Sequence, residues 1–272
     1  MRAPQAITST ANPEVKALYA LRKRSERDER GLFLIEGYRA VTRALEVGFK
    51  LETLYYSPEW YLGENEAAVV EQAHAAGVKT VRLGQEALAK AAYRDRPEGL
   101  LAVGRQWHTT LEGLKLSQNP FLIVVEAIEK PGNLGTILRS ADATGADAVI
   151  VCDPVTDLFN PNVVRASTGV MFKTPTIITS SPDAIKFLEQ NNIQSVAAVV
   201  QATKLYTSVD YTRPTAVIMG SEQFGLSSAW QQAATRPVRL PMLGLADSLN
   251  VSAATVVLAY EVLRQRSWGQ PQ

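Results

Sequence analysis

Leu240–Arg266 reads LPMLGLADSLNVSAATVVLAYEVLRQR, and the arrangement of the chain around this stretch decides the fold. Its opening belongs to a short strand expected over Val238–Met242, followed by a loop broken by Pro241 and Gly244. A long helix is expected to start around Ser248–Ser252. Such a loop carries backbone N–H and C=O groups outside regular pairing, free to read a small polar ligand. Ser248, Asn250 and Ser252 place three short polar side chains at the helix start. Ser and Asn are ordinary N-cap residues, and one cap needs only one of them. From Val251 to Leu263 the helix is apolar or small on nearly every face, with Glu261 as its one charge. No one-sided stripe is present, so the pattern predicts burial all round. A second copy of the chain in an isologous dimer would provide that burial, and so would a position inside the chain's own core.

Working outward, apolar runs alternate with helical patterns along most of the chain. Residues 12–24 read as a helix with Asn12 as cap and Pro13 at the tolerated first position. Strands are expected at Leu32–Gly37, Leu51–Ser57, Val78–Leu83 and Leu100–Gly104, and helices near Tyr38–Val47, Glu64–Ala76 and Gln85–Ala91. This alternation implies an α/β sandwich domain over residues 1–105. Gln106–Asn119 is the expected linker. In residues 120–272 the strands are longer and more apolar: Phe121–Ile128, Ala148–Asp153, Pro175–Thr179, Ser195–Val200 and Thr215–Gly220. Continuous apolar strands suit a parallel sheet covered on both faces, whose ligands sit beyond the strands' carboxyl ends.

Composition narrows the function. The 272 residues are 46% hydrophobic and 20% charged with a net charge of +1, a globular balance with room for two cores. No apolar run reaches the roughly 18 residues of a membrane span. The N-terminus lacks the apolar core of a secretory signal. One cysteine, Cys152, and two histidines, His74 and His108, give neither a disulfide framework nor metal-ligand spacing. A cytoplasmic, metal-free protein is expected. Between Lys16 and Arg30 six basic residues (Lys16, Arg22, Lys23, Arg24, Arg27 and Arg30) outnumber three acidic ones. That excess permits a nucleic-acid partner, and equally a solvated helix face laced with opposite charges.

Three polar loops leave strand ends in the second half. Glu126–Asp147 holds Gly132 and Gly135 around Asn133, followed by a helix expected over Thr136–Thr144 that carries Arg139. Its glycines are too few for a dinucleotide fingerprint. Arg139 near a helix start would suit a phosphate oxygen, or an ion pair with Asp142. Met219–Trp230 sets Glu222 between Gly220 and Gly225, where absent side chains let a ligand approach the backbone. The third loop is the stretch quoted first.

Together and in this order, the three loops resemble the motifs of the SpoU-TrmH branch of the SPOUT RNA ribose 2′-O-methyltransferases. Asn133, Leu134, Gly135 and Arg139 match the first, Gly220, Glu222, Gly225 and Leu226 the second. Pro241, Met242, Ser248, Leu249, Asn250, Val251 and Ser252 match the third. Asn160–Pro175 resembles a segment these enzymes carry between the first two motifs, and residues 1–105 resemble an L30e-like RNA-binding domain. The resemblance implies a homodimer whose 120–272 domain is an α/β trefoil knot with a mostly parallel sheet, although general topology rules argue against knots. It implies S-adenosylmethionine as cofactor, held by Met219, Gly220, Leu240, Met242 and Leu249. Catalytic roles fall to Arg139, Asn133, Glu222, Ser248 and Asn250. A guanidinium is essentially never deprotonated in a protein, so Arg139 is expected to clamp a phosphate and stabilise developing alkoxide charge. Structured ribosomal RNA is the expected substrate; transfer RNA and a non-catalytic RNA-binding role are the alternatives.

Overall fold

In a computed structural model of the chain the described residues are 6–267, so the ends of the expected domains, 1–5 and 268–272, lie outside them. The chain divides into two units, each with its own sheet. One runs to Trp107 and also takes in Asp157–Lys173; the other holds His108–Thr156 and the described residues from Thr174 onward.

In the first unit Asn12 caps α1 (Pro13–Ala20), its Oδ1 accepting from Glu14 N at 2.8 Å. The helix stops earlier than its sequence pattern predicts. A separate short helix, α2 (Arg24–Arg30), follows and closes at Gly31, whose φ of +63° is the left-handed value glycine accepts at a helix end. Then come β1 (Leu32–Glu36), α3 (Tyr38–Glu46), β2 (Leu51–Tyr56), α4 (Glu66–Ala75), β3 (Lys79–Arg82), α5 (Gln85–Ala91) and β4 (Leu100–Arg105). The sheet order is β1-β4-β2-β3, with β4 antiparallel to both neighbours and β2 parallel to β3. Val15, Leu18 and Leu21 are buried with Ala87, Leu88 and Ala91 of α5.

The second unit begins with β5 (Phe121–Glu126), α6 (Pro131–Thr144) and β6 (Ala148–Cys152). After α7 (Pro161–Ser167), which belongs to the first unit, it resumes with β7 (Thr176–Thr179), α8 (Ser181–Gln190), β8 (Gln194–Ala198), β9 (Thr215–Met219), α9 (Ser228–Ala233), β10 (Arg236–Val238) and α10 (Val251–Ser267). Its six strands, in order β10-β8-β9-β5-β6-β7, are parallel throughout. β5, β6 and β9 are buried along their whole length, as their continuous apolar sequences require. Among the described residues no helix is long and apolar enough to cross a membrane, and no group of three or more potential ligands could hold a metal ion.

Several expectations change in the second unit. α6 starts at Pro131, not Thr136, because proline's fixed φ suits the first helical position. Arg139 is therefore in the third turn, away from the N–H groups of the helix start. The last strand ends at Val238, leaving Arg239–Asn250 as loop. α8 is an added helix, capped by Ser180 Oγ accepting from Asp183 N at 3.2 Å. Finally, α10 is not buried all round within one chain. Val251, Ala254, Thr255, Leu258, Ala259 and Val262 are buried, while Ala253 and Tyr260 are exposed and Val256 and Val257 half-buried.

Asp157–Lys173 falls inside the expected catalytic domain by sequence, yet it packs with the N-terminal sheet. Phe159 and Phe172 join Phe33, Phe49 and Trp107 in one aromatic cluster, with centroids 4.9 Å apart for Phe33–Phe159 and 4.7 Å for Phe49–Phe172. Arg43 Nη1 donates to Thr168 O at 2.7 Å and Thr168 Oγ1 at 2.8 Å. Gly169 is needed there: its φ is +89°, and a Cβ would stand 2.9 Å from that of Arg43. Arg27 completes the seam. It is 1% exposed, donates to Leu21 O at 3.0 Å and Arg22 O at 2.9 Å, and pairs with Asp157 through Nε at 3.0 Å. Its burial removes it from the RNA-facing set that the sequence predicts, because a charge this enclosed is satisfied only by its own partners.

Removing one member of a buried ion pair strands the other. Asp157→Ala is expected to lower unfolding free energy by about 3 kcal/mol, read from denaturant titration; a change below about 1 kcal/mol would mean the seam is not structural.

Candidate active site

β5 and β9 are neighbours at the middle of the parallel sheet, and the first two motif loops leave their carboxyl ends. This is where an open parallel sheet presents its ligand crevice. The loop after β9 is drawn into a tight ring. Ser221 N donates to Gly225 O at 3.0 Å, Gly225 N to Ser221 O at 3.1 Å, and Phe224 N to Ser221 Oγ at 3.0 Å. Gly220 cannot be any other residue in this geometry, since a Cβ there would lie 2.2 Å from the Gly225 carbonyl carbon.

The ring borders a cleft of about 530 Å³ whose walls include Met219, Gly220, Leu240, Met242 and Leu249, together with Glu222, Ser248 and Asn250. Lys130, Leu226, Val251 and Ala254 also line it. Cofactor-sized sites occupy clefts of about 300–1,000 Å³ with apolar walls and a few convergent polar groups.

Three of the motif residues meet in one hydrogen-bonded chain. Asn133 Nδ2 donates to Glu222 Oε1, and Asn250 Nδ2 donates to Asn133 Oδ1 at 3.2 Å. Asn250 Oδ1 meanwhile accepts from Ser252 N at 3.0 Å and Ser252 Oγ at 2.7 Å. Asn250 is thus both the cap of α10 and the link to α6, so capping and site assembly use opposite ends of one amide. Ser248 is exposed at the cleft edge. Arg139 is not brought into this cluster. It is exposed on α6, and among the described residues it makes no side-chain hydrogen bond and no ion pair, with Asp142 or any other carboxylate.

The basic residues expected to meet RNA lie in the first unit and separate into groups. Arg24 pairs with Asp28 at 3.4 Å and Arg30 with Glu26 at 2.7 Å, each on its own helix, while Arg27 is buried. Lys16, Arg22 and Lys23 have no carboxylate partner within ion-pair distance among the described residues.

The SpoU rRNA Methylase family matches residues 120–260, and the MRM3-like substrate binding domain matches residues 12–102. The chain belongs to the SpoU rRNA methylase family. A 23S rRNA (uridine(2479)-2′-O)-methyltransferase of Streptomyces viridochromogenes is 30% identical over 262 residues, covering 92% of this chain and 88% of that protein. A solved RNA 2′-O ribose methyltransferase is 42% identical, with a TM-score of 0.85 over 96% of this chain and 99% of its own. An AdoMet-bound rRNA methyltransferase from Sinorhizobium meliloti is 31% identical, with a TM-score of 0.86 over 96% and 97% of the two chains.

In this SpoU-family chain a second polar cluster, which motif reading misses, supports the cleft from below. Glu126, at the end of β5, is 5% exposed. Its Oε2 accepts from Ser227 N at 2.7 Å, where the Gly220–Leu226 loop runs into α9, and its Oε1 lies 3.0 Å from Ser181 Oγ. Ser181 Oγ also accepts from Trp230 Nε1 at 3.0 Å and lies 2.6 Å from Asp153 Oδ2. A carboxylate in an otherwise apolar strand was the available signal, since buried charges are kept only where they are fully bonded. Cys152, beside this cluster, is an inert thiol: burial pushes its pKa above the ordinary range, and the Asp153 and Glu126 charges add to the shift.

Glu126→Ala would leave the Ser227 N–H without its acceptor. A loss of about 2 kcal/mol in stability is expected, with faster hydrogen exchange at the Ser227 amide. Unchanged exchange there would show that Glu126 does not hold the loop.

Proposed function

We propose that this chain is an S-adenosylmethionine-dependent methyltransferase acting on a ribose 2′-hydroxyl of ribosomal RNA, and that it works as a homodimer in the cytoplasm. The observation that carries the reading is the chain of side chains from Glu222 through Asn133 to Asn250 at the rim of the cleft. It joins one residue from each of the three motifs. Membership of the SpoU family and the ribosomal RNA named for its relatives support the same activity. The reading includes the trefoil knot in residues 120–272, a linker at 106–119 and an L30e-like RNA-binding domain in 1–105, which the family resemblance implies.

The cleft fits the cofactor. Gly220 lets the Ser221–Gly225 ring close against the cleft, and Met219, Leu240, Met242 and Leu249 offer apolar and backbone surface to an adenosyl group. When bound, S-adenosylmethionine supplies an electrophilic methyl group on a sulfonium leaving group, so the protein's task is positioning. Glu222 fixes the Asn133 amide, and Asn133 fixes Asn250. Ser248 and Asn250 then face the ribose from the rim. Arg139 holds the phosphate beside the target ribose and stabilises negative charge developing on the 2′-oxygen.

Dimerisation explains two features of the single chain. Leu243 and Leu245, in the loop before α10, are fully exposed, and Ala253, Val256, Val257 and Tyr260 leave an apolar stripe on the helix itself. A second copy covering this face would bury them and bring its own Arg139 to the cleft.

Gly220→Ala is expected to weaken S-adenosylmethionine binding at least about tenfold by calorimetry, because the added methyl has only backbone to displace. Arg139→Ala should abolish methyl transfer with cofactor affinity nearly intact. If each site takes Arg139 from the partner, mixing the two variants at an S-adenosylmethionine concentration where Gly220→Ala alone is inactive restores roughly a quarter of wild-type activity. No recovery on mixing would place Arg139 in the cleft of its own chain, and full activity of Arg139→Ala alone would remove its role.

A further inference from the structure

The basic residues near the N-terminus do not form one interface, and one of the unpaired ones, Arg22, shares a tyrosine ring with Lys90. Tyr19, at the end of α1, is 39% exposed. The Arg22 guanidinium lies 4.6 Å from its ring centroid and the Lys90 ammonium, from the end of α5, lies 4.2 Å from it. Arg22 is also 6.0 Å from the Tyr93 ring. Arg22 Nη2 donates to Lys90 O at 3.4 Å, and its buried Nε has no partner. Lys16, one turn before Tyr19, and Lys23 extend the positive surface.

Two cations on one ring repel each other, and no carboxylate within ion-pair distance offsets that among the described residues. Glu36 is the nearby acid, but its Oε2 is taken by Tyr93 N at 2.8 Å and Arg94 N at 3.4 Å. Burial raises its pKa, which weakens it as a counterion for Arg22. Packing holds the cluster together all the same, since Leu18, Leu21, Leu88 and Ala91 are buried beneath it. Unpaired cations ordered on an exposed aromatic ring, here Tyr19 with the half-buried Tyr93 beside it, make a surface that single-stranded nucleic acid uses, with phosphates on the charges and bases stacking on the guanidinium plane or the ring edge.

We propose that Tyr19, Arg22, Lys90 and Tyr93 form a contact site for an unpaired RNA segment, flanked by Lys16 and Lys23. Arg24 and Arg30, spent on Asp28 and Glu26, stand outside it. The proposal rests on the ribosomal RNA reading above and locates where the first unit grips that substrate. Cation–π stacking holds the two charged groups at the surface before RNA arrives, so little side-chain freedom is lost on binding.

The test uses the 272-residue chain and a 23S rRNA transcript. Arg22→Gln with Lys90→Gln is expected to weaken RNA binding roughly tenfold and to reduce the salt slope of log Kd by about 1 to 2. KM for RNA should rise in parallel, with kcat at saturating RNA and S-adenosylmethionine affinity unchanged. Tyr19→Ala should weaken binding roughly five- to tenfold, with little change in salt slope. The charge-preserving pair Arg22→Lys with Lys90→Arg should retain most of the affinity, separating a contact role from a folding defect. Arg105→Gln, an exposed control in the same unit paired with Glu52, should bind as wild type.

Equal affinity of wild type and the Gln pair overturns the proposal. So does a Gln pair that binds the transcript normally but fails on assembled ribosomal particles, since the patch would then meet protein. A wild-type chain that binds RNA through this patch without transferring methyl overturns the enzymatic reading alone. One that binds no RNA overturns both.

Discussion

One side-chain amide ties the second unit's functional parts together. Asn250 Oδ1 caps α10, and its Nδ2 reaches Asn133 on α6, which in turn donates to Glu222 after β9. Three segments, separated by 89 and 117 positions along the chain, thereby share one rigid junction. A carboxylate at one end and a helix cap at the other leave each amide one favourable orientation. The side chains around the cleft are therefore held before any ligand enters, which is the condition under which positioning contributes to rate.

That junction depends on the sheet beneath it. In an all-parallel sheet with both faces covered, the strand interiors are apolar and the polar groups collect at the carboxyl ends. Glu126 marks that boundary: still on β5 and buried, it must be bonded on both oxygens, and it draws Ser227 and Ser181 onto itself. The loop between Gly220 and Leu226 is held at one end by this carboxylate and closed on itself by the paired Ser221 and Gly225 backbones. Gly220 follows from the closure, because only a hydrogen atom fits between two main-chain segments so close.

The first unit solves a different problem. Its four-stranded sheet and flanking helices are completed by Asp157–Lys173, a segment distant in sequence that brings Phe159, Phe172 and the Asp157 carboxylate. Arg27 is spent inside this seam and Arg24 and Arg30 on their own helix. Of the six basic residues between Lys16 and Arg30, Lys16, Arg22 and Lys23 are the ones without a carboxylate partner among the described residues, and Lys90 of α5 stands beside Arg22. A count of charges along the chain could not separate these groups, because pairing and burial depend on neighbours far away in sequence.

Much was legible before any coordinates. The alternation of apolar strands and helices placed nearly every strand within two or three residues, because continuous Val and Ile runs have few alternatives to a buried parallel strand. Asn133, Glu222 and Asn250 stood out as polar residues in loops at strand ends. The helix reading failed at the start of α6, which Pro131 opens earlier than its glycines suggest, whereas α10 leaves within one chain an apolar stripe of the kind the expected second copy would cover. Sequence by itself determined the α/β class and the buried apolar strands, which follow from local periodicity, and it set Asn133, Glu222 and Asn250 in polar loops at strand ends; Met219, Leu240, Met242 and Leu249 were marked only by the resemblance to a known family. Only the tertiary structure decided that Asn250 reaches Asn133, that Glu126 anchors the loop above it, that Arg27 is buried and that Lys90 sits beside Arg22. Those are pairings between distant segments, and their energies come from geometry that no single stretch of chain contains.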